Sequence, residues 1–162
     1  MNPIAVLRRV SIKNLLKGIL LGLGHPLLIW PTIKATRECV RISTAHYGKL
    51  HHKNGPANAF RHALWNFMIA RACRRYSGEQ RALSWAGKIT HWHEDSFPNG
   101  KLARAMDLHN NAVGRDLLGE HRDRQLEEVV EILKGMALES VKVEVHANLG
   151  TLKYQLVHIM EP

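Results

Sequence analysis

The chain has 162 residues, of which 45% are apolar, and it carries a formal net charge of +9. This length predicts a single domain with a real hydrophobic core, and the apolar content is that of an ordinary globular protein. The two cysteines, Cys39 and Cys73, lack zinc-finger spacing, which excludes a cysteine-ligated zinc module. Both lie among apolar neighbours in helical patterns, so we expect two free, buried thiols.

The positive charge is concentrated in the first third of the chain. Residues 1–53 contain nine lysines and arginines but a single acid, Glu38, whereas from residue 120 onward eight acids outnumber five bases. Such a field suits phosphate groups, of a nucleic acid or of lipid head groups, and it is equally typical of a solvated basic face. Nothing in the sequence resembles a helix-turn-helix or another element that reads bases, so nucleic acid is the less favoured partner.

Residues 4–23 predict a basic amphipathic helix, because apolar residues recur three and four apart with arginines and lysines between them. Such a helix lies on a membrane surface or docks on the core of its own domain, and the pattern favours neither. The apolar run from Ile19 to Trp30 is broken by glycines and has no small-residue cleavage site after it. We therefore predict neither a cleavable signal peptide nor a transmembrane helix. Pro26 and Pro31 predict a connector, which divides the chain into an N-terminal helix and connector, 1–30, and one helical domain, 31–162.

The remaining apolar residues recur mostly with a helical period, and they predict five further helices, over 32–47, 56–76, 80–93, 101–118 and 122–138. The loop over 48–55 contains His51 and His52, which we expect to be exposed. In the tail the period changes to two, and a turn signal at 148–150 separates two alternating runs, which is typical of a β-hairpin. The predicted fold is mainly α, a compact multi-helix domain with a C-terminal β-hairpin.

Three of the predicted helices place a histidine where a core residue is expected: His62, His93 and His109. Each has polar companions within one helical turn, namely Asn58 before His62, Glu94 after His93, and Asp107, Asn110 and Asn111 around His109. Buried imidazole and carboxylate groups need hydrogen-bond or charge partners. We therefore predict that these side chains meet in one pocket between packed helices.

One interpretation of this pocket is a metal site, because imidazole and carboxylate ligands suit zinc, manganese or iron. A catalytic zinc keeps one position for water, whose pKa falls to about 7. The predicted ligands are His62, His93, Asp107 and His109, with Glu94 either as base or as a residue that supports the ligands from behind. None of the local spacings is a known ligand signature, and a divalent metal, zinc or manganese, is the one cofactor that the residues suggest.

A second interpretation needs no metal, because a histidine oriented by a carboxylate can act as a general base. The catalytic candidates are then His62, His93, Glu94, Asp107 and His109. The substrate-binding candidates are two cations that could stabilise a developing anion and two carboxamides, Arg61, Arg115, Asn110 and Asn111. A third interpretation is a polar network that fixes the helix register without chemistry. A single inward histidine would favour this interpretation, whereas three inward histidines make it less favoured.

Three runs between residues 52 and 118 form a specific pattern. They are Asn54-Gly55-Pro56 with Ala59, Phe60, Arg61, His62, Ala63 and Trp65; then His93-Glu94; then Met106, Asp107, His109, Asn110, Asn111, Gly114 and Arg115. The pattern resembles an uncharacterised bacterial domain family of secreted and polymorphic-toxin-like proteins. The chain has Asn58 where that family usually has Asp. If that Asp is a ligand or base, Asn58 weakens the activity or shifts the role to a neighbour.

The resemblance implies a shared site and, from its setting in effectors, antibacterial hydrolysis of an envelope or lipid substrate. We therefore predict a hydrolase of a phosphate-bearing lipid or other cell-envelope molecule, working as a bacterial effector or toxin that is secreted or peripherally bound to a membrane. Its predicted partners are an anionic membrane surface or lipid substrate and a cognate immunity or carrier protein. Two alternatives stay open: a nuclease that uses the same cluster, and a non-enzymatic adaptor or immunity-type protein.

Overall fold

The structure is a computed structural model that describes residues 11–97, 99–144 and 148–160. Within these residues the chain forms six α-helices, a short pair of strands and two 3₁₀ turns. They are α1 (Ile12–Gly24), α2 (Pro26–Tyr47), a 3₁₀ turn (Leu50–His52), α3 (Pro56–Ser77), α4 (Glu79–Ser96), α5 (Lys101–His121), α6 (Leu126–Leu138), β1 (Val141–Lys142), a 3₁₀ turn (Leu149–Leu152) and β2 (Val157–His158). The mainly α fold is thereby confirmed, while residues 4–10 of the predicted first helix lie outside the described residues.

Helix α3 is the centre of the domain. It packs against α2, α4, α5 and α6, and Phe60, Leu64 and Phe67 along it are completely buried. Its sequence is apolar on nearly every face, which suits a helix surrounded by others. Pro56 occupies its first turn, where the missing N–H is not needed, and Gly78 ends it with a positive φ of 76°.

Helices α3 and α5 are in close backbone contact at Gly114. A Cβ atom at this position would overlap the backbone carbonyl of Ala63. Glycine is therefore required for the contact, and the contact brings the polar side chains of both helices together.

The predicted connector between Pro26 and Pro31 is wrong, because Pro26 begins α2 and Pro31 lies inside it. Proline at the first helical position costs no hydrogen bond, and Pro31 removes one bond near the helix start. No single described helix is long and apolar enough to cross a membrane. Helices α1 and α2 meet the length and composition criteria only as a pair, bent by 114° at His25.

The predicted C-terminal hairpin is also wrong. Strands β1 and β2 pair in parallel, with Val141 opposite Val157, and residues 145–147 of the predicted first strand lie outside the described residues. The side chain of Asn110 donates to the carbonyl of Val157 and accepts from its N–H, each at 2.9 Å. This amide acts like a neighbouring strand, so it fixes the tail against α5.

Candidate functional site

Three helices each contribute one side chain to a buried cluster, which we call the His62 cluster: His62 from α3, Glu94 from α4 and Asp107 from α5. One ligand atom of each residue lies within 4.8 Å of those of the other two. All three side chains are about 95% shielded from solvent. Among the described residues this is the one group of three or more histidine, cysteine or acidic side chains with such geometry.

Both ring nitrogens of His62 have polar neighbours. Nε2 lies 2.6 Å from Nη2 of Arg61 and 3.3 Å from Oδ1 of Asp107. Nδ1 lies 3.2 Å from Oδ1 of Asn111 and 3.8 Å from Oε1 of Glu94. Because a guanidinium can only donate, Nε2 must be the unprotonated nitrogen, and Nδ1–H donates to Asn111.

The cluster and the adjoining side chain of Asn111 include buried atoms without hydrogen-bond partners. Oε1 of Glu94, Oδ1 of Asp107 and Nδ2 of Asn111 are buried and make no hydrogen bond. Nε2 of His62 and Oδ1 of Asp107 are both acceptors when the carboxyl is ionised, and they face each other at 3.3 Å. A buried site of this kind needs a proton or a cation between its acceptor atoms.

Burial shifts the pKa of every titrating member of the cluster toward its neutral form. It raises the pKa of Glu94 to about 7, against the opposing effects of Arg61 and Asn111. Burial, together with the charge of Glu94, raises the pKa of Asp107 to about 7, and Arg61 opposes this. Burial and Arg61 hold the pKa of His62 well below its usual range. Near neutral pH the pair of carboxyls therefore shares protons beside a neutral imidazole.

A second set of polar side chains lies one turn away at the same interface, and we call it the Asn66 network: Asn66, Thr90, Asn111 and Arg115. Nδ2 of Asn66 donates to Oδ1 of Asn111 at 2.6 Å and to the carbonyl of His62 at 3.3 Å. Its Oδ1 accepts from Arg115 at 2.8 Å and from Thr90 at 3.3 Å. Asn66 is therefore fully satisfied, and Asn111 connects it to the His62 cluster.

Two of the predicted site histidines do not join His62. The ring of His93 packs on Trp65 and Phe97, with centroid distances of 5.1 and 4.9 Å. Burial and then Arg61 lower its pKa to about 4. His93 is not among the described residues whose ligand atoms lie within 4.8 Å of one another around His62. Nε2 of His109 lies 2.9 Å from the carbonyl of Gln155 in the tail. A metal site in this geometry uses Glu94 in place of His93 and His109.

The four predicted substrate-binding residues do not lie together at one site. Arg61 is partly exposed and contacts the cluster through His62, and Asn111 belongs to the cluster's surroundings. The side-chain nitrogen and oxygen of Asn110 both bond to the backbone of Val157, so this residue holds the tail in place. Arg115 donates to Asn66, and it lines an open cavity together with Lys17 and Lys88.

Three residues near this interface were missed by the sequence reasoning. Asn66 lies four residues after His62 on the same face of α3, and that spacing could have identified it. Thr90 lies four residues before Glu94 on α4 in the same way. His51 was expected to be exposed, but it is buried; burial, with smaller contributions from His52 and Arg61, lowers its pKa to about 4.

Asn58, the position where the sequence departs from the pattern, supports the turn before α3. Its Nδ2 lies 3.4 Å from the carbonyl of His51, while its buried Oδ1 has no partner. In this structure Asn58 therefore holds the loop to the start of α3 and is not a member of the His62 cluster.

An apolar groove runs between α1, α2 and α4 and ends beside the cluster. Its volume is about 640 Å³, and Trp65, Trp85 and Trp92 line it together with Ile33 and Ile89. Trp65 and His93 form the end nearest His62, whose ring lies 6.4 Å from that of Trp65. None of the larger cavities in the described part of the chain is lined by His62, Glu94 or Asp107 themselves.

Comparison with known proteins identifies the family of the chain. A family model described as a domain of unknown function (DUF6973) matches residues 19–141, about three-quarters of the chain, and this range includes the His62 cluster and the Asn66 network. No curated protein and no solved structure matches the chain. The prediction of an uncharacterised domain family is confirmed, whereas its bacterial and toxin setting stays a prediction.

Proposed function

We propose that this chain, which belongs to the DUF6973 family, is a hydrolase in which the His62 cluster activates a water molecule. The observation that carries the proposal is the set of buried acceptor atoms on Glu94 and Asp107 that no protein group satisfies. Asn66, one helical turn away at the same interface, has a partner for each of its side-chain polar atoms, as buried structural polar groups usually do. Unpaired carboxylates with raised pKa values beside an imidazole are instead typical of acid–base and metal chemistry.

We further propose that a divalent cation, zinc or manganese, is the cofactor. One His and two carboxylate ligands from three helices suit such an ion, and they leave positions for water. A bound ion would pair with the unsatisfied oxygens of Glu94 and Asp107 and would supply an activated water. Arg61 occupies Nε2 of His62, so it would have to turn toward the substrate when the ion binds.

The cluster also suits water activation without a metal. Two carboxyls with pKa values of about 7 can divide the roles of general acid and general base. Arg61 would then stabilise the negative charge that develops on the substrate. The measurement that separates the two routes is the dependence of activity on chelator.

The substrate that we propose is a phosphate-bearing lipid or another envelope molecule, attacked by a bacterial effector at a membrane. The support is the partly exposed Arg61 beside the cluster and the basic, apolar surface of α1 and α2. A cognate immunity or carrier protein follows from the effector proposal. A nuclease would use the same cluster, and the same assay tests it.

The test is a release assay with phospholipid, lipid-linked pyrophosphate, DNA and RNA, with and without chelator. We expect phosphate or head-group release from a lipid, and about a 100-fold loss in His62→Gln. His91→Gln is the matched control, because His91 is exposed and its ring nitrogen contacts the carbonyl of Gly87 on its own helix. Expression in bacterial cytoplasm and periplasm, followed by lipid extraction, locates the target.

The outcomes separate the alternatives. Cleavage of nucleic acid alone replaces the lipid proposal with a nuclease. No turnover of any substrate, together with no stoichiometric ion in the purified protein and unchanged stability in chelator, leaves a non-enzymatic adaptor or immunity-type protein.

A further inference from the structure

The apolar groove has a polarity gradient along its length. At one end it is lined by Arg37, Thr36 and His93, and at the other by Leu23, Ile29 and Trp85. Helices α2 and α3 run antiparallel, since Thr36 accepts from Trp65 and Leu28 lies against Cys73. The polar end of the groove is therefore the end beside Trp65 and the His62 cluster. A site with one charged and one apolar end has the shape of an amphiphile.

Large apolar side chains are exposed on α1 and α2 outside the groove as well as along it. No residue of α1 is buried, and Leu20, Leu23 and Leu27 are each about 70% exposed across the bend between α1 and α2. Exposed apolar surface on this scale marks an interaction site. Helix α1 is held mainly through Trp92, which donates to the carbonyl of Asn14 at 2.8 Å and packs on Gly18.

The charges decide which occupant fits. Residues 11–37 contain Lys13, Lys17, Lys34 and Arg37 but no aspartate or glutamate. Within the described residues no carboxylate pairs with Arg37. A second copy of the chain would bring these cations against themselves, which disfavours a symmetric dimer through this face. An anionic lipid complements both the cations and the apolar surface.

We infer that the apolar groove binds one hydrocarbon chain of an anionic amphiphile, with the head group at the Arg37–His93 end beside the His62 cluster. The cavity lies in the range of small-molecule sites, roughly 300–1,000 Å³. The inference rests on the proposed function in its placement of the head group, and it names the substrate class: a lipid drawn partly out of the bilayer by its chain. The exposed apolar surface of α1 and α2 faces the membrane during this step.

The test is quenching of tryptophan fluorescence by lysophosphatidylglycerol brominated at mid-chain. The experiment uses a Trp30→Phe background, because Trp30 is exposed outside the groove while Trp65, Trp85 and Trp92 line it. We expect saturable quenching that the unbrominated lipid competes away. The zwitterionic lysophosphatidylcholine should bind more weakly.

Two glycines of α1 provide a matched pair of variants. Gly22 lines the groove, and a Cβ there would meet Ile29 at an ordinary 3.4 Å. Gly22→Leu should therefore fold and weaken binding roughly tenfold, since leucine displaces two or more methylenes of the chain. Gly24→Leu adds the same group at a position with nothing within 4 Å, and it should bind as the parent does.

A separate variant tests the proposed position of the head group. Arg37→Gln should reduce the preference for the anionic over the zwitterionic lipid by roughly threefold, the size expected for an exposed cation. Lys49→Gln, an exposed cation outside the groove, should leave the preference unchanged.

The inference is overturned if the bromines do not quench the parent protein while it still adsorbs to anionic vesicles, or if Gly22→Leu binds like the parent. These results are separable from the proposed function, because His62→Gln should bind the brominated chain normally. Chain binding without any hydrolysis keeps the groove and removes the hydrolase. Hydrolysis of a water-soluble phosphodiester without chain binding keeps the hydrolase proposal and overturns the inference about the groove.

Discussion

The His62 cluster and the Asn66 network lie one helical turn apart between the same three helices, yet they differ in how they satisfy their polar atoms. Every side-chain nitrogen and oxygen of Asn66 has a partner. In the cluster, buried oxygens of Glu94 and Asp107 have none. Because burial and packing are alike in the two regions, the fold does not force this difference. The unsatisfied region is the one that costs stability, and we therefore assign the chemistry to it.

The largest effect is expected where both regions are disturbed together. Gly114→Ala would push α5 away from the carbonyl of Ala63, and both regions depend on that contact. We expect a loss of at least about 3 kcal/mol in the free energy of unfolding, measured by urea titration.

Gly119→Ala is the control for this substitution. It lies on the same helix, exposed, with nothing within 4 Å of the new Cβ, and it should gain up to about 1 kcal/mol from helix propensity. Equal stability of the two variants would mean that α3 and α5 are not in the close contact described, and the comparison between the two regions would lose its basis.

The next effect distinguishes the two regions. Asn66→Ala leaves Arg115 without its amide acceptor and removes a donor to Asn111, so we expect a loss of about 2–3 kcal/mol, or a fall in Tm of about 5–10 °C. Asp107→Asn removes a buried charge and keeps the shape of the side chain, and its Tm should equal or exceed that of the parent. If Asp107→Asn is the more damaging in thermal unfolding, the cluster is structural.

The helices themselves could be predicted from the sequence, but the inward face of α4 could not. The predicted inward row was Ala82, Ala86, Ile89 and His93. Ala82 and Ala86 are buried as predicted, but the buried row continues to Thr90 and Glu94. The reason is physical, because α4 has two adjoining apolar faces. One packs on α3, and the other, with Ile89 and Trp92, lines the groove. The buried row of α4 becomes polar, at Thr90 and Glu94, as it reaches the His62 cluster. Counting apolar residues therefore selects the neighbouring row, which contains Ile89.

The structures of the tail and of the loop before α3 could not be predicted from the sequence for a different reason. Local alternation cannot show whether two strands pair in parallel or in a hairpin. Here the distant side chain of Asn110 decides where Val157 lies. His51 is buried by contacts with Thr44 and Asn58 on two different helices. In both places polar contacts between different elements set the structure, and no periodic pattern records them.

The remaining effect builds up gradually with pH, and it tests whether the unsatisfied oxygens of the cluster carry protons. The pKa values of Glu94 and Asp107 are raised to about 7 by burial, while in the unfolded chain such carboxyls titrate near 4. Between these values the folded state binds more protons, so its stability falls as the pH rises. Each such proton contributes a slope of about 1.4 kcal/mol per pH unit.

The double variant Glu94→Gln with Asp107→Asn lacks both titrations but keeps His51, His62 and His93, whose lowered pKa values act in the opposite direction. The difference in unfolding free energy between parent and variant therefore isolates the two carboxyls. In chelator the variant should gain on the parent from about pH 4 to pH 7. With excess manganese the parent should instead gain as the pH rises, because the ion binds only ionised carboxylates. A flat difference under both conditions would mean that neither proton nor ion occupies the cluster, and the contrast with the Asn66 network would then have no chemical meaning.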